Sequence, residues 1–217
     1  MTEGCCNIRI KVCGLTDPDQ ALETCMAGAD AIGFVFAPKS PRLLSREDAR
    51  HIIKKMPPMV QSVGVFVDES IDTIREIVEF CGIDLVQLHG SEPPGFCKLL
   101  APRVIKAFRV KNDRVLQEIE NYSGAVRGIL IDTWARGTHG GTGKTFDWDV
   151  ARKIVASIDM PVILAGGLEP GNVEEAVSKV RPWGVDVSSG VETAPGQKSI
   201  EKIKEFIRNA RACATSW

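Results

Sequence analysis

Eight short apolar runs rich in Val, Ile and Ala recur along the chain: RIKVCG from Arg9, AIGFVF from Ala31, SVGVFVD from Ser62, DLVQLHG from Asp84, RVIKAFRV from Arg103, GILIDT from Gly128, PVILAGG from Pro161 and GVDVSSG from Gly184. Their length and composition predict strands. Between them lie segments with helical spacing and N-terminal caps: Asp17 ahead of DQALETCMAGA, Ser45 ahead of REDARHIIKKM, Ser70 ahead of IDTIREIVEFCG, and Gly171-Asn172 ahead of VEEAVSKV. A last helix is predicted from about Ser199 to Ala212, with Ile200, Ile203, Phe206 and Ile207 on one stripe. The segment SEPPGFCKLLAP, Ser91 to Pro102, leaves room for only a short helix.

Strand starts about 25 residues apart suit a strand, loop, helix, loop unit, and strands joined by helical crossovers run parallel. Eight such units without a composition break predict a single α/β domain over residues 1–217, a closed (β/α)8 TIM barrel. Residues 1–7 form a short N-terminal extension and 213–217 a tail. The alternative is an open doubly wound sheet. It expects a Gly-rich phosphate turn after its first strand, and Cys13-Gly14-Leu15-Thr16 does not have the GxGxxG form.

Alternation along the strands then sorts side chains between barrel interior and helix layer. In the first strand Ile8, Ile10 and Val12 face the helices, so Arg9, Lys11 and Cys13 point inward with Cys13 last. By the same count Gln87 and His89, Leu130 and Asp132, and Asp186 and Ser188 face inward on strands four, six and eight. Cys13, His89, Asp132 and Ser188 therefore converge on the C-terminal mouth, where barrel enzymes keep their sites. A thiol, an imidazole and carboxylates on different strands form a proton-transfer set, because acid and base must reach a substrate from different sides. Lys11, Lys106 and Asp186 are equally readable as charges paired inside the barrel.

Gly166-Gly167 ends strand seven, ahead of GLEPGN, and Ser188-Ser189-Gly190 ends strand eight. Backbone N–H groups at such glycine turns suit an anion, and strands seven and eight are where barrels commonly hold a phosphate. The long loop TWARGTHGGTGKTFDW after strand six, with Gly137, Gly140, Gly141 and Gly143, has the composition of a mobile lid.

The wider composition narrows the function classes. Of 217 residues, 27 are Lys or Arg and 28 Asp or Glu, for a net charge of −1, which argues against a basic nucleic-acid face. No run reaches the roughly 18 apolar residues of a membrane span, and the N-terminus lacks the order of a signal peptide, so a cytoplasmic protein with no membrane partner is expected. Seven scattered cysteines without CxxC pairs and three histidines distant in sequence indicate reduced thiols and no metal site.

KVCGLT at 11–16, GFVFAPKSPR at 33–42, GVFVDES at 64–70, VQLHG at 86–90, LIDT, GGTGKTFDW at 140–148, LAGGL at 164–168 and DVSSGVETAPGQK at 186–198 together resemble phosphoribosylanthranilate isomerase of tryptophan biosynthesis. The likeness runs from the first strand to the final helix. It implies a cofactor-free Amadori rearrangement of N-(5-phosphoribosyl)anthranilate to 1-(2-carboxyphenylamino)-1-deoxyribulose 5-phosphate. It further implies Asp132 as general acid, Cys13 as general base and Arg42 as partner of the anthranilate carboxylate. Gly166, Gly167, Ser189 and Gly190 become the phosphate loops, and Asp186 and His89 stand near the substrate.

This chemistry makes two demands. Cys13 needs a cationic or helix-terminal environment to act as a base near neutrality, and Asp132 must be held protonated by burial or by a like charge such as Asp186. Other readings fit less well. Indole-glycerol-phosphate synthase would want a Lys/Glu acid–base set at the strand mouths, and a pentose-phosphate epimerase would want metal-binding histidines. A regulatory, non-catalytic barrel would have no use for both Cys13 and Asp132. The remaining expectation is a monomer or homodimer acting on a small phosphorylated substrate.

Overall fold

The computed structural model describes residues 8–110, 115–132 and 148–212. Eight strands follow one another around a closed parallel barrel: β1 (Arg9–Cys13), β2 (Ala31–Val35), β3 (Gln61–Phe66), β4 (Leu85–Leu88), β5 (Val104–Arg109), β6 (Gly128–Asp132), β7 (Val162–Ala165) and β8 (Gly184–Val187). Each pairs in parallel with its neighbour, and β8 closes on β1 with Lys11 opposite Asp186. The outer helices are α1 (Pro18–Met26), α2 (Arg46–Ile53), α3 (Ile71–Cys81), α4 (Pro94–Lys98), α5 (Val115–Glu120), α6 (Trp148–Ser157), α7 (Val173–Val180) and α8 (Ile200–Ala212). The five-residue α4 is the short helix that SEPPGFCKLLAP allowed.

The caps explain where several helices start. Asp17 accepts from the Asp19 and Gln20 amides, Ser45 from that of Asp48, and Ser70 from that of Thr73. Each stabilises its helix by about 1 kcal/mol. Asn172 occupies the corresponding place before α7 but makes no cap bond. Its side chain accepts from Glu169 N and donates to Gly167 O, both at 2.9 Å, and so braces the β7–α7 loop instead.

Strand alternation sorts the core as the sequence pattern requires. Ile10, Val12, Phe34, Phe66, Ile129, Ile131 and Val185 join the large apolar layer between strands and helices, with Ile203, Phe206 and Ile207 of α8. Inside the barrel Ile105, Ala107, Leu130, Ile163 and Ala165 form a separate cluster. Cys13, Val35 and Val65 form a third near the mouth. The interior is thus packed, and polar side chains at the strand ends are held by that packing.

One element was not foreseen. Between β8 and α8 the chain makes a single 3-10 turn, Ser189–Val191, and a small hairpin of β9 (Glu192–Ala194) and β10 (Gln197–Lys198). Gly196 turns the hairpin at φ +81°, and Thr16 Oγ1 donates to its carbonyl at 3.0 Å, tying the hairpin to the loop after β1. The Pro195-Gly196 pair is the sequence signal for this turn.

The expected lid lies, apart from Trp148, outside the described residues, as do Cys5, Cys6 and Cys213. Cys13, Cys25, Cys81 and Cys97 are free and buried. Among the described residues no helix is long and apolar enough to cross a membrane.

Candidate active site

Cys13 closes β1, and the absence of a side chain at Gly33 on β2 makes room for it: a Cβ there would come within 2.8 Å of the thiol sulfur. Two residues earlier, Lys11 points into the same interior. Its Nζ donates to Asp186 Oδ1 at 2.9 Å, with both side chains more than nine-tenths buried, and its charge is also felt by the Cys13 thiol. Burial works against the Lys11 charge, but Asp186 and Cys13 outweigh it and hold the ammonium protonated. Burial pushes the Asp186 carboxyl up, and Lys11 offsets this only in part. Cys13 is likewise pushed up by burial, against the pull of Lys11 and Lys198. The cationic environment expected for Cys13 is therefore present, but desolvation is larger.

Across the mouth, Asp132 ends β6 and His89 follows β4. His89 Nε2 stands 3.5 Å from Asp132 Oδ2. On the other side of the ring, Gln87 Nε2 lies 3.3 Å from Nδ1. A Gln amide donating to Nδ1 sets the tautomer with hydrogen on Nε2, directed at Asp132. The Asp132 side chain is about a quarter exposed, and the fully enclosed carboxyl is Asp186, already engaged by Lys11. The His89 imidazole faces the Asp132 carboxyl.

Below His89 sits a pair that sequence reasoning missed. Glu92, from the loop after β4, meets Lys106 of β5 at 3.2 Å, both side chains 3% exposed. Lys106 Nζ also donates to the carbonyls of Leu88, Gly90 and Ala107, and Glu92 accepts from the amides of Asp68 and Gly90. Of the charges read as paired inside the barrel, Lys11 meets Asp186, and Lys106 meets Glu92, which that reading did not include. With its donors consumed, this Lys/Glu set holds the His89-Gly90-Ser91 backbone and is not a synthase-type acid–base pair.

Arg42 follows β2, its stem laid over Gly14. A Cβ at Gly14, which has φ +79°, would meet Arg42 Cδ at 2.4 Å. The guanidinium is forked onto Glu192, Nε to Oε1 at 2.7 Å and Nη2 to Oε2 at 2.6 Å. Glu192 also receives Lys198 Nζ at 2.7 Å. Burial would raise the Glu192 carboxyl, but Arg42 and Lys198 outweigh it and hold it below the usual carboxylate range. Glu192 and Lys198 both lie in the DVSSGVETAPGQK motif, which carried the signal without assigning them a place.

The two glycine turns adjoin. Gly166 and Gly167 take φ +93° and +65° after β7. Gly190, in the 3-10 turn after β8, packs so closely that a Cβ would lie 1.9 Å from Leu168 O. Ser189 and Gly190 begin that turn, so their amides lie outside its internal bonding. Cys13, His89, Asp132 and Asp186 are thus brought to one mouth of the barrel, with Arg42 and the glycine turns at its rim. Among the described residues no group of three or more His, Cys, Asp or Glu side chains is placed to hold a metal ion.

The family described as N-(5'-phosphoribosyl)anthranilate (PRA) isomerase matches residues 10–209. Over 204 residues the chain is 48% identical to N-(5'-phosphoribosyl)anthranilate isomerase of Trichlorobacter lovleyi, covering 94% of this chain and 98% of the relative. A phosphoribosyl anthranilate isomerase solved with reduced 1-(o-carboxyphenylamino)-1-deoxyribulose 5-phosphate superposes with a TM-score of 0.84 at 43% identity, covering 94% of this chain and 99% of that one. Monomers of the dimeric phosphoribosylanthranilate isomerase from Thermotoga maritima give a TM-score of 0.83 at 42% identity, with the same coverage.

Proposed function

Because the chain belongs to the N-(5'-phosphoribosyl)anthranilate isomerase family of tryptophan biosynthesis, we propose that Cys13 and Asp132 carry its isomerisation as general base and general acid. Asp132 delivers a proton to the ribose ring oxygen as the C1'–O bond breaks, and the anthranilate nitrogen supplies the electron pair that makes the open-chain Schiff base. Cys13, as thiolate, removes the proton from C2', giving an enolamine that tautomerises to 1-(2-carboxyphenylamino)-1-deoxyribulose 5-phosphate. His89, 3.5 Å from Asp132, is the group through which Asp132 holds and regains its proton. Catalytic contacts that are long without substrate tighten when substrate is bound.

The substrate phosphate is assigned to the backbone of Gly166, Gly167, Ser189 and Gly190, and the anthranilate carboxylate to Arg42, whose planar guanidinium suits it. Asp186 stands between, positioned by Lys11. The observation that carries this reading is the placement of Cys13 and Asp132 at the ends of β1 and β6 of one closed barrel, so that thiol and carboxyl approach a bound sugar from different sides. A cytoplasmic enzyme, monomer or homodimer, without nucleic-acid or membrane partners, is in keeping with the net charge of −1. Sedimentation of the purified protein decides between the two oligomeric states.

The test generates the labile substrate in situ from anthranilate and phosphoribosyl pyrophosphate with the upstream transferase, then follows loss of anthranilate-type fluorescence. The purified enzyme is expected to accelerate that loss, and Cys13→Ala and Asp132→Asn to lower the acceleration by orders of magnitude. Near-wild-type turnover in either variant removes that residue from the mechanism.

A further inference from the structure

We propose that Glu192 is a positioning residue for substrate carboxylate recognition: it anchors the Nε–Nη2 side of Arg42 so that the Nη1–Nη2 end is presented to the anthranilate carboxylate. The inference rests on the assignment of Arg42 to that carboxylate. A guanidinium has two forks, one along Nε and Nη2 and one at its end along Nη1 and Nη2. Glu192 takes the first, with bonds of 2.7 and 2.6 Å. Nη1 and the second Nη2 hydrogen take no part in that fork. Two carboxylates can thus be held by one Arg42, one belonging to the protein and one to the ligand.

Glu192 is the fixed end of this contact. Its side chain is 5% exposed against 20% for Arg42. Oε1 also accepts from Lys198 Nζ at 2.7 Å and from Gly196 N at 3.3 Å. Its main-chain carbonyl is held by Lys202 Nζ at 2.9 Å. Lys198 in turn donates to Ser188 O at 3.1 Å, which links the anchor to the start of the proposed phosphate turn. The β9–β10 hairpin therefore joins the two rim sites that grip opposite ends of the substrate.

Charge gives the same answer. Arg42 and Lys198 repel one another, and one Glu192 carboxylate between them leaves a net charge of +1, which matches a single ligand carboxylate. Without Glu192 the long Arg42 side chain would have to be ordered by the substrate itself, at the expense of binding. Carboxylate recognition remote from the reacting carbons is the same in ground and transition states, so its loss appears in KM and not in kcat.

The experiment compares two inhibitors, reduced 1-(2-carboxyphenylamino)-1-deoxyribulose 5-phosphate and its carboxylate-free anilino counterpart. Glu192→Gln is expected to raise Ki for the carboxylated compound roughly 10- to 100-fold, the range of a charged hydrogen bond, and that of the anilino compound by less than about threefold. KM should rise in parallel, with kcat within about threefold. In an Arg42→Ala background the same substitution should add nothing. Equal weakening of both inhibitors, or an undiminished effect in that background, overturns the inference while leaving the Arg42 assignment standing. Unchanged Ki values in Arg42→Ala alone overturn the assignment itself, and with it the inference. Should Glu192→Gln leave Lys198 too poorly partnered to fold, Glu192→Gln/Lys198→Met removes the buried charge and must show the same selectivity between the two inhibitors.

Discussion

Lys11 Nζ donates to Asp186 Oδ1 at 2.9 Å, and its charge also acts on the Cys13 thiol of its own strand, so a single buried ammonium serves both a carboxylate and the proposed base. Register makes this possible, because Lys11 pairs directly with Asp186 across β1 and β8, and Cys13 lies two residues further along the same inward face. The cation that a basic thiol needs is a side chain on the neighbouring inward position, not a helix terminus. Yet burial still pushes Cys13 up, away from the thiolate form that the proposed base requires.

A base acts only when deprotonated, so a thiol pushed up gains its active form as pH rises. The rate governed by Cys13 should therefore climb with pH above neutrality. Lys11→Met removes the attraction that opposes burial and should carry the climb to still higher pH, with kcat at pH 7 falling about tenfold for each unit of displacement. The alkylation rate of Cys13 by iodoacetamide against pH, in a background with Cys5, Cys6 and Cys213 changed to Ser, reports the displacement directly. An unmoved profile in Lys11→Met would remove Lys11 from thiol activation.

Cys13→Ala and Asp132→Asn should each lower kcat by about 10²- to 10⁴-fold, the usual range for a lost general acid or base. Neither side chain belongs to the main apolar layer, so both variants should melt within a few degrees of the parent protein. Loss of activity accompanied by loss of the folded circular dichroism spectrum would assign these residues to stability instead.

The barrel was legible because its signals are local: β-branched runs at even spacing, and Asp17, Ser45 and Ser70 as real caps. Parity alone sent Cys13, Asp132 and Asp186 inward, since a one-residue error would have turned Ile10, Ile129 and Val185 into the barrel and these polar side chains onto the apolar helix layer. What it could not show were pairings that involve residues outside the barrel strands. Glu192 and Arg42 are 150 positions apart, and Glu92 reaches Lys106 from outside any strand, so no periodicity marks either contact. Asn172 misled for a related reason: cap position is local, but its side chain chose the Gly167 carbonyl, a partner set by the folded loop.

Gly190 tests the junction of the two glycine turns. A Cβ would lie 1.9 Å from Leu168 O, and the neighbour is backbone, so it cannot swing aside. Gly190→Ala should force the β7 and β8 turns apart, weakening inhibition by inorganic phosphate at least several-fold and lowering the melting temperature by several degrees. Unchanged phosphate inhibition would show that the anion does not depend on this close approach.

Glu92 and Lys106 form a buried ion pair, and the cost of breaking it depends on how it is broken. Removing one partner of such a pair typically destabilises by about 3–5 kcal/mol because an unpaired charge is left in the interior. In Glu92→Gln, Lys106 keeps its bonds to the Leu88, Gly90 and Ala107 carbonyls, so a loss near the lower end of that range is expected. Lys106→Met should cost more, because the buried Glu92 carboxylate keeps only amide donors. Glu92→Gln/Lys106→Met carries no buried charge and should lose less than the two single losses added together. Urea unfolding of the four proteins measures the coupling directly. Additive losses would mean that the two charges do not stabilise one another, and that the loop carrying His89 is held by its backbone bonds alone.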